Sequence, residues 1–150
     1  MPKNLHFLLA DDDKDDRSFF EMVLSALAPE VKLTTVQDGE ELMEFLLKNS
    51  SRLPDVLFLD INMPRKNGAE CLQEIMQNEM LKALPVIMYS TSLHPEVAEQ
   101  FHKDGAWYYI QKGDLNELER YLKKVLKLFS RGKMVYPGKD AFIIKTDHND

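Results

Sequence analysis

The chain has 150 residues, of which 44% are hydrophobic and 29% are charged, and its formal net charge is −6. This composition is typical of a soluble globular domain, and the acidic balance disfavours nucleic-acid binding, which needs a basic surface. No apolar run approaches the roughly 18 residues of a membrane span, and no targeting segment is recognisable. The single cysteine, Cys71, cannot form an internal disulfide, which fits a reducing compartment. We therefore expect a cytoplasmic domain that binds neither nucleic acid nor membrane.

Five short apolar or β-branched runs are bounded by turn residues, which is typical of strands in a sheet. They lie at residues 5–10, 31–36, 56–60, 86–89 and 106–110. Each run is followed by a segment with apolar residues at i, i+3 and i+4 spacing, which predicts an amphipathic helix. The strict alternation of strands and helices implies a mostly parallel sheet with helices on both faces.

Residues at the ends of the predicted helices support their limits. Pro29 ends the first helix, because the residue before a proline is pushed out of helical geometry. Asp38 and Asp114 precede the second and fifth helices, and each has a glutamate three residues later, which is the spacing of a capping box. The fourth helix begins at Pro95 and carries few apolar residues, so we expect it to be weakly anchored and easy to move.

The apolar stripes of the helices identify the side chains expected to face the core. The fifth helix has the strongest stripe. The stripes of the first, second, third and fifth helices contain Phe19, Phe20, Val23, Leu24 and Leu27; Leu42, Phe45 and Leu46; Ala69, Leu72, Ile75 and Met76; and Leu115, Leu118, Leu122, Val125 and Phe129. The apolar residues of the fourth helix are Val97, Ala98 and Phe101.

The residues after Gly132 fall outside the alternating pattern. Two apolar islands, at 134–136 and 142–144, are separated by Pro137 and Gly138. They could form a short added strand, an arm on a partner or an ordered tail. We therefore expect one domain over residues 1–131 and a C-terminal extension over residues 132–150.

Polar residues stand at the carboxyl ends of four predicted strands, where open parallel sheets place their ligand sites. The first strand leads to Asp11 and Asp12, the third to Asp60, the fourth to Ser90 and the fifth to Lys112. Three carboxylates in one crevice repel one another unless a cation offsets their charge. Mg²⁺, which prefers oxygen ligands, is the natural candidate.

These strand ends resemble the motifs of two-component response-regulator receiver domains over about residues 4–131. The matching segments are residues 8–13 (LLADDD), 58–64 (FLDINMP) with Gly68, 84–90 (LPVIMYS) and 109–112 (YIQK). Each motif alone is moderately specific, but their order and their positions at the correct strand ends make the match very specific. The resemblance implies a flavodoxin-like, doubly wound sheet of five parallel strands in the order 2-1-3-4-5, as in the chemotaxis receiver, with five helices.

The resemblance also implies a reaction. Asp60 would accept a phosphoryl group from a histidine kinase or phosphotransfer protein and become an aspartyl phosphate. Mg²⁺ would bind Asp12, Asp60 and the backbone carbonyl of Asn62, and Asp11 would assist through water. Lys112 would act as a positive charge on a phosphate oxygen.

A switch is the further implication of the resemblance. Ser90 would hydrogen-bond to a phosphoryl oxygen, and the aromatic side chain of Tyr109 would turn from an exposed toward a buried position. The surface of the fourth helix, fifth strand and fifth helix would change, and a downstream protein would read it. The chain resembles stand-alone receivers that partner phytochrome-type or hybrid histidine kinases, so no output domain is expected. A homodimer through this surface or the extension is a further possibility.

Several readings stay open from the residues alone. The register of the acid pair within residues 11–13 is uncertain by one residue, and we choose Asp11 and Asp12 because they follow the strand directly. Asp15 and Asp16 are interpreted as acids that stabilise the N-terminus of a helix. One alternative function is a degenerate receiver that serves as a binding scaffold. Another is a haloacid-dehalogenase-type phosphatase, but Asn62 stands where that family needs a second aspartate.

Overall fold

The computed structural model describes residues 4–130, 132, 134, 136–138 and 141–145. The strands are β1 (His6–Ala10), β2 (Lys32–Val36), β3 (Val56–Asp60), β4 (Val86–Ser90) and β5 (Tyr108–Gln111). The helices are α1 (Lys14–Leu27), α2 (Gly39–Lys48), α3 (Gly68–Gln77), α4 (Pro95–Lys103) and α5 (Leu115–Leu128). The strands form one parallel sheet in the order β2-β1-β3-β4-β5. The predicted flavodoxin-like fold is confirmed.

Burial along the strands follows from their position in the sheet. Every residue of β3 and β4 is buried, since helices cover both faces of the central strands. In the edge strand β2 only Val36 is buried, which agrees with its mixed polar and β-branched sequence. The carboxyl ends of the central strands are therefore held rigidly at one edge of a well-packed sheet.

The sheet separates two apolar clusters. On one face, side chains of α2, α3 and α4 pack on the sheet around Leu72 and Ile75. On the other face, α1 and α5 pack around Phe20, Leu24 and Leu122. All five of these side chains were expected in the core.

Three expectations about inward-facing residues were wrong. Phe19 and Leu115 are 44% and 43% exposed, and Ala69 is also exposed. Adjacent helical residues point about 100° apart, so the burial of Phe20 turns Phe19 toward solvent. Leu115 lies in the first turn of α5, and the buried stripe of that helix begins only at Leu118.

One of the two predicted capping boxes is complete, and the structure adds one that was not predicted. Asp114 and Glu117 form the full box at α5, whereas α2 shows only half of it, the bond from the Glu41 amide to the Asp38 side chain. A further capping box, made by Asn67 and Glu70, begins α3 directly after the β3–α3 loop. It anchors the end of the loop that follows Asp60.

The described part of the C-terminal extension lies along the free edge of β5. The Tyr109 amide donates to the Phe142 carbonyl at 3.0 Å, and the Ile144 amide donates to the Tyr109 carbonyl at 2.9 Å. This is a single parallel bridge at Ile143, outside the five strands of the sheet, and it does not decide among the predicted alternatives for the extension. Among the described residues, none of the helices combines the length and apolar character that crossing a bilayer requires.

Candidate phosphorylation site

Asp60 lies at the carboxyl end of β3 and is only 6% exposed. The chain turns back directly after it, because the Gly68 amide donates to the Ile61 carbonyl at 2.8 Å. A Cβ atom at position 68 would lie 2.5 Å from the Asp60 carbonyl oxygen, so this close approach requires glycine. The Asn62 amide lies 3.4 Å from Asp60 Oδ1. The loop thus fixes the backbone around a buried carboxylate.

Three carboxylates meet beside this loop. Oxygens of Asp11, Asp12 and Asp60 all lie within 4.8 Å of one another. Asp11 is fully buried and Asp12 is exposed, so the group opens to solvent on one side. Asp13 has a different position, because its side chain accepts a hydrogen bond from the Asp16 amide and caps α1. A group of hard oxygen donors of this kind suits a divalent cation such as Mg²⁺.

Lys112 is the positive group of the site, and its side chain is only 10% exposed. Its Nζ atom donates to Asp11 Oδ2 at 2.7 Å and to Asp16 Oδ2 at 2.9 Å, and it lies 3.7 Å from Asp60 Oδ2. The same atom lies 5.0 Å from the centre of the Tyr89 ring. Lys112 therefore joins residues from β1, α1, β3 and β4 at one edge of the sheet.

Burial and charge shift the protonation of the site. The pKa of Asp60 is raised from 3.8 to about 7, mainly by burial and also by the neighbouring Asp11, while the Lys112 charge acts in the opposite direction. Burial acts to lower the pKa of Lys112, but hydrogen bonds to Asp11 and Asp16 outweigh it and raise that pKa above its usual value. Lys112 is consequently charged at neutral pH, while Asp60 without a bound cation is only partly ionised.

Ser90 and Tyr109 connect this edge of the sheet to the loop before α4. Ser90 is buried, and its Oγ atom accepts a bond from the Ser92 amide at 3.3 Å. Tyr109 is buried too, and its hydroxyl donates to the Ser92 carbonyl at 2.7 Å. Tyr109 thus already occupies an inward position in this structure.

Comparison with known proteins decides the family. A family model described as the response regulator receiver domain matches residues 7–123. The chain belongs to this family. Rcp1 of Synechocystis sp. strain PCC 6803, a response regulator, is 39% identical over 90 residues, which cover 57% of this chain and 60% of Rcp1. ARR17 of Arabidopsis thaliana, a two-component response regulator, is 27% identical over 135 residues, covering 81% of this chain and 87% of that protein.

Solved structures agree with this assignment. The phosphorylated cyanobacterial phytochrome response regulator RcpA superposes with a TM-score of 0.77 at 28% identity, covering 85% of this receiver and 95% of RcpA. The Mn²⁺-bound form of Rcp1 has a TM-score of 0.75 at 28% identity, covering 89% of this receiver and 99% of that structure. The DNA-binding regulator NtrC of Escherichia coli also matches, but the aligned residues span only 24% of its length.

The structure brings together the predicted site residues of the receiver and adds one. Asp11, Asp12, Asp60 and Lys112 meet as expected, with Ser90 at the end of the next strand. Asp16 was interpreted as a helix-end acid, yet its carboxylate contacts Lys112. The sequence carried no signal for this contact, because Asp15 and Asp16 are adjacent acids in the same first turn of α1.

Proposed function

We propose that this receiver accepts a phosphoryl group on Asp60 from the phosphohistidine of a histidine kinase or phosphotransfer protein. The observation that carries the proposal is the position of Asp60, buried at a strand end with its Oδ2 atom 3.7 Å from the Lys112 ammonium. A buried carboxylate beside a fixed cation is suited to attack an electrophilic phosphorus and then to hold the added charge.

In the proposed reaction, an ionised oxygen of Asp60 forms a bond to phosphorus while the bond from phosphorus to the donor histidine nitrogen breaks. The electron pair of that bond leaves with the imidazole, which takes up a proton from solvent. Lys112 lies next to Asp60 and donates a hydrogen bond to an oxygen of the transferred group. Little covalent chemistry is required of the protein beyond the nucleophile, because positioning and charge neutralisation dominate phosphoryl transfer.

The acids beside Asp60 fit a divalent cation. Asp12 and Asp60 would hold Mg²⁺ together with the backbone carbonyl of Asn62, and Asp11 would assist through water. When bound, the ion offsets the negative charge of the acids and of the phosphoryl oxygens, and it favours ionised Asp60. The solved structure of Rcp1 in its Mn²⁺-bound form supports this proposal, because Rcp1 is a related receiver that binds a divalent cation.

The switch would start at Ser90. Its Oγ atom, which accepts a bond from the Ser92 amide, would donate to a phosphoryl oxygen and shift the loop before α4. Tyr109 would transmit this shift, because its hydroxyl holds the Ser92 carbonyl of the same loop. Only Ala98 and Phe101 are buried in α4, so the helix is weakly anchored enough to respond.

A downstream protein would then read the α4–β5–α5 face together with the extension that covers part of it. Phe142 packs against His102 of α4, with 4.7 Å between ring centres, and Lys124 of α5 donates to the Lys145 carbonyl. We propose that residues 132–150 are an extension of the domain over residues 1–131, and that its described residues 141–145 belong to this receiver surface. The receiver would signal in the cytoplasm, and two copies of it could form a homodimer through this surface.

Incubation with Mg²⁺ and phosphoramidate or acetyl phosphate tests this function. We expect the mass to increase by one phosphoryl group. Hydroxylamine should remove this group, because it is a nucleophile that cleaves acyl phosphates. Asp60→Asn should show no increase, because an asparagine side chain cannot form an acyl phosphate. The absence of a mass increase with every donor would favour the binding scaffold. Continuous turnover of phosphate esters would instead favour the phosphatase.

A further inference from the structure

Asp16 contacts the lysine of the phosphorylation site although it lies outside the four motifs that identify a receiver. Its Oδ2 atom is 2.9 Å from Lys112 Nζ, nearly as close as Asp11 Oδ2 at 2.7 Å. The Asp16 side chain is 33% exposed and that of Lys112 is 10% exposed, so solvent screens this pair less than an ion pair on the open surface.

The role of a helix-end acid does not require this contact. Asp13 caps α1, because its side chain accepts a hydrogen bond from the Asp16 amide at 3.0 Å. Asp15 also places a carboxylate in the first turn of the helix. Asp15 is exposed, whereas the Asp16 carboxylate contacts Lys112, which lies in the loop between β5 and α5. The two adjacent acids thus have different surroundings.

The contact constrains the direction of the lysine. An ammonium group has three N–H donors arranged as a tripod, and Asp11 and Asp16 occupy two of them. The third N–H donor is available on the side that faces Asp60, whose Oδ2 atom lies 3.7 Å from Lys112 Nζ. The Tyr89 ring lies beside the same nitrogen, with its centre at 5.0 Å, and further limits the side chain's freedom.

We propose that Asp16 is a positioning residue for phosphoryl transfer. Together with Asp11 it holds the Lys112 ammonium so that the third N–H meets the phosphoryl group on Asp60. Asp16 touches neither the phosphoryl group nor the attacking oxygen, and it acts through Lys112. This inference rests on the proposed function of Asp60.

The first test compares Asp16→Ala with Asp15→Ala, which removes the same charge from the same helical turn. We expect Asp16→Ala to slow phosphorylation of Asp60 by phosphoramidate about tenfold, as for the loss of one hydrogen bond to a charged group. Asp15→Ala should stay within about twofold of the wild-type rate, and Asp16→Asn, which keeps an acceptor oxygen, should recover part of the loss. The Mg²⁺ dissociation constant from calorimetry should change less than about threefold in each variant, and thermal melting reports whether each is folded.

The second test is a double-mutant cycle with Lys112→Met. If Asp16 acts through the lysine, adding Asp16→Ala to Lys112→Met leaves the residual rate unchanged within about twofold. Equal rate losses from Asp16→Ala in both backgrounds, or equal rates for Asp16→Ala and Asp15→Ala, would overturn the proposal. A wild-type protein that is not phosphorylated at all would instead refute the proposed function, so the two failures are distinguishable.

Discussion

The proposed phosphorylation site and the β5 edge are organised by different forces. At the site, three acids (Asp11, Asp16 and Asp60) surround one lysine, Asp12 lies beside two of them, and hydrogen bonds and ion pairs fix the geometry. At the edge, two backbone hydrogen bonds and aromatic contacts hold the extension on Tyr109. The site around Asp60 contains buried charged groups, whereas the β5 edge contains buried aromatic rings. We therefore expect the site to respond to charge and the edge to respond to changes in packing.

Tyr109 belongs to both regions. Its hydroxyl holds the Ser92 carbonyl near the phosphorylation site, while its amide and carbonyl pair with residues on either side of Ile143. A shift of the loop before α4 would therefore reach the extension through one residue. The two regions differ in their forces but share this physical connection.

Removing the lysine should have the largest effect on folding. Lys112→Met leaves fully buried Asp11 without its 2.7 Å partner, so we expect the free energy of unfolding to fall by about 3 kcal/mol. Lys123→Met is the matched control, because the Lys123–Glu119 pair is exposed and worth less than about 1 kcal/mol. Urea denaturation in EDTA measures both, and equal losses would show that the buried pair is no stronger than a surface one.

Truncating the ring at the edge should loosen the extension while leaving the chemistry intact. Phe142→Ala removes a buried side chain that contacts His102 and Tyr109, and the loss of about 3 kcal/mol of packing free energy favours local detachment of the extension. The Tyr109 amide should then exchange its hydrogen at least about tenfold faster, as measured by hydrogen-exchange mass spectrometry. Exposed Tyr136→Ala should have a smaller effect.

The rate of Asp60 phosphorylation in Phe142→Ala should stay within about twofold of wild type. A large rate loss without faster exchange at Tyr109 would contradict the separation of the two regions.

Replacing Asp60, the proposed phosphoacceptor, should stabilise the fold at neutral pH when no divalent cation is present. Burial raises the pKa of folded Asp60 from 3.8 to about 7, so the folded state retains a proton that the unfolded chain releases between these values. The free energy of unfolding therefore falls as the pH rises from about 4 to about 7. In EDTA at pH 8 we expect Asp60→Asn to be more stable than wild type by about 1–3 kcal/mol.

This difference in stability should shrink toward zero at pH 4, where the buried side chain at position 60 is uncharged in the folded wild type as well as in Asp60→Asn. Asp15→Asn, which alters an exposed acid, should stay within about 0.5 kcal/mol of wild type at both pH values. Denaturation curves that show the same Asp60→Asn difference at pH 4 and pH 8 would contradict a raised pKa.

The proposed phosphorylation site was the more predictable region. Its residues follow apolar strands directly, and parallel topology carries strand ends to one edge whatever the details of packing. The same reasoning identified Asp60 and Lys112, which are 52 positions apart in the chain. The role of Asp16 could not be predicted, because acids in the first turn of a helix look alike in sequence and only tertiary structure brings one of them to a lysine.

The packing details were predictable only in part. Helical periodicity identified the buried stripes but could not choose between adjacent Phe19 and Phe20, since a rotation of one residue exchanges them. The extension has no period at all, so the apolar island around Phe142 indicated burial without indicating a partner. That partner, the unpaired edge of β5, becomes visible only when the sheet order is known.

The most direct test of the central claim is to locate the phosphoryl group. After reaction with phosphoramidate and Mg²⁺, reduction with borohydride converts an aspartyl phosphate to homoserine, which peptide mass spectrometry assigns to one position. We predict homoserine at residue 60 and at no other acid of the site. Homoserine at Asp11, Asp12 or Asp16, or none in a folded protein, would contradict the account.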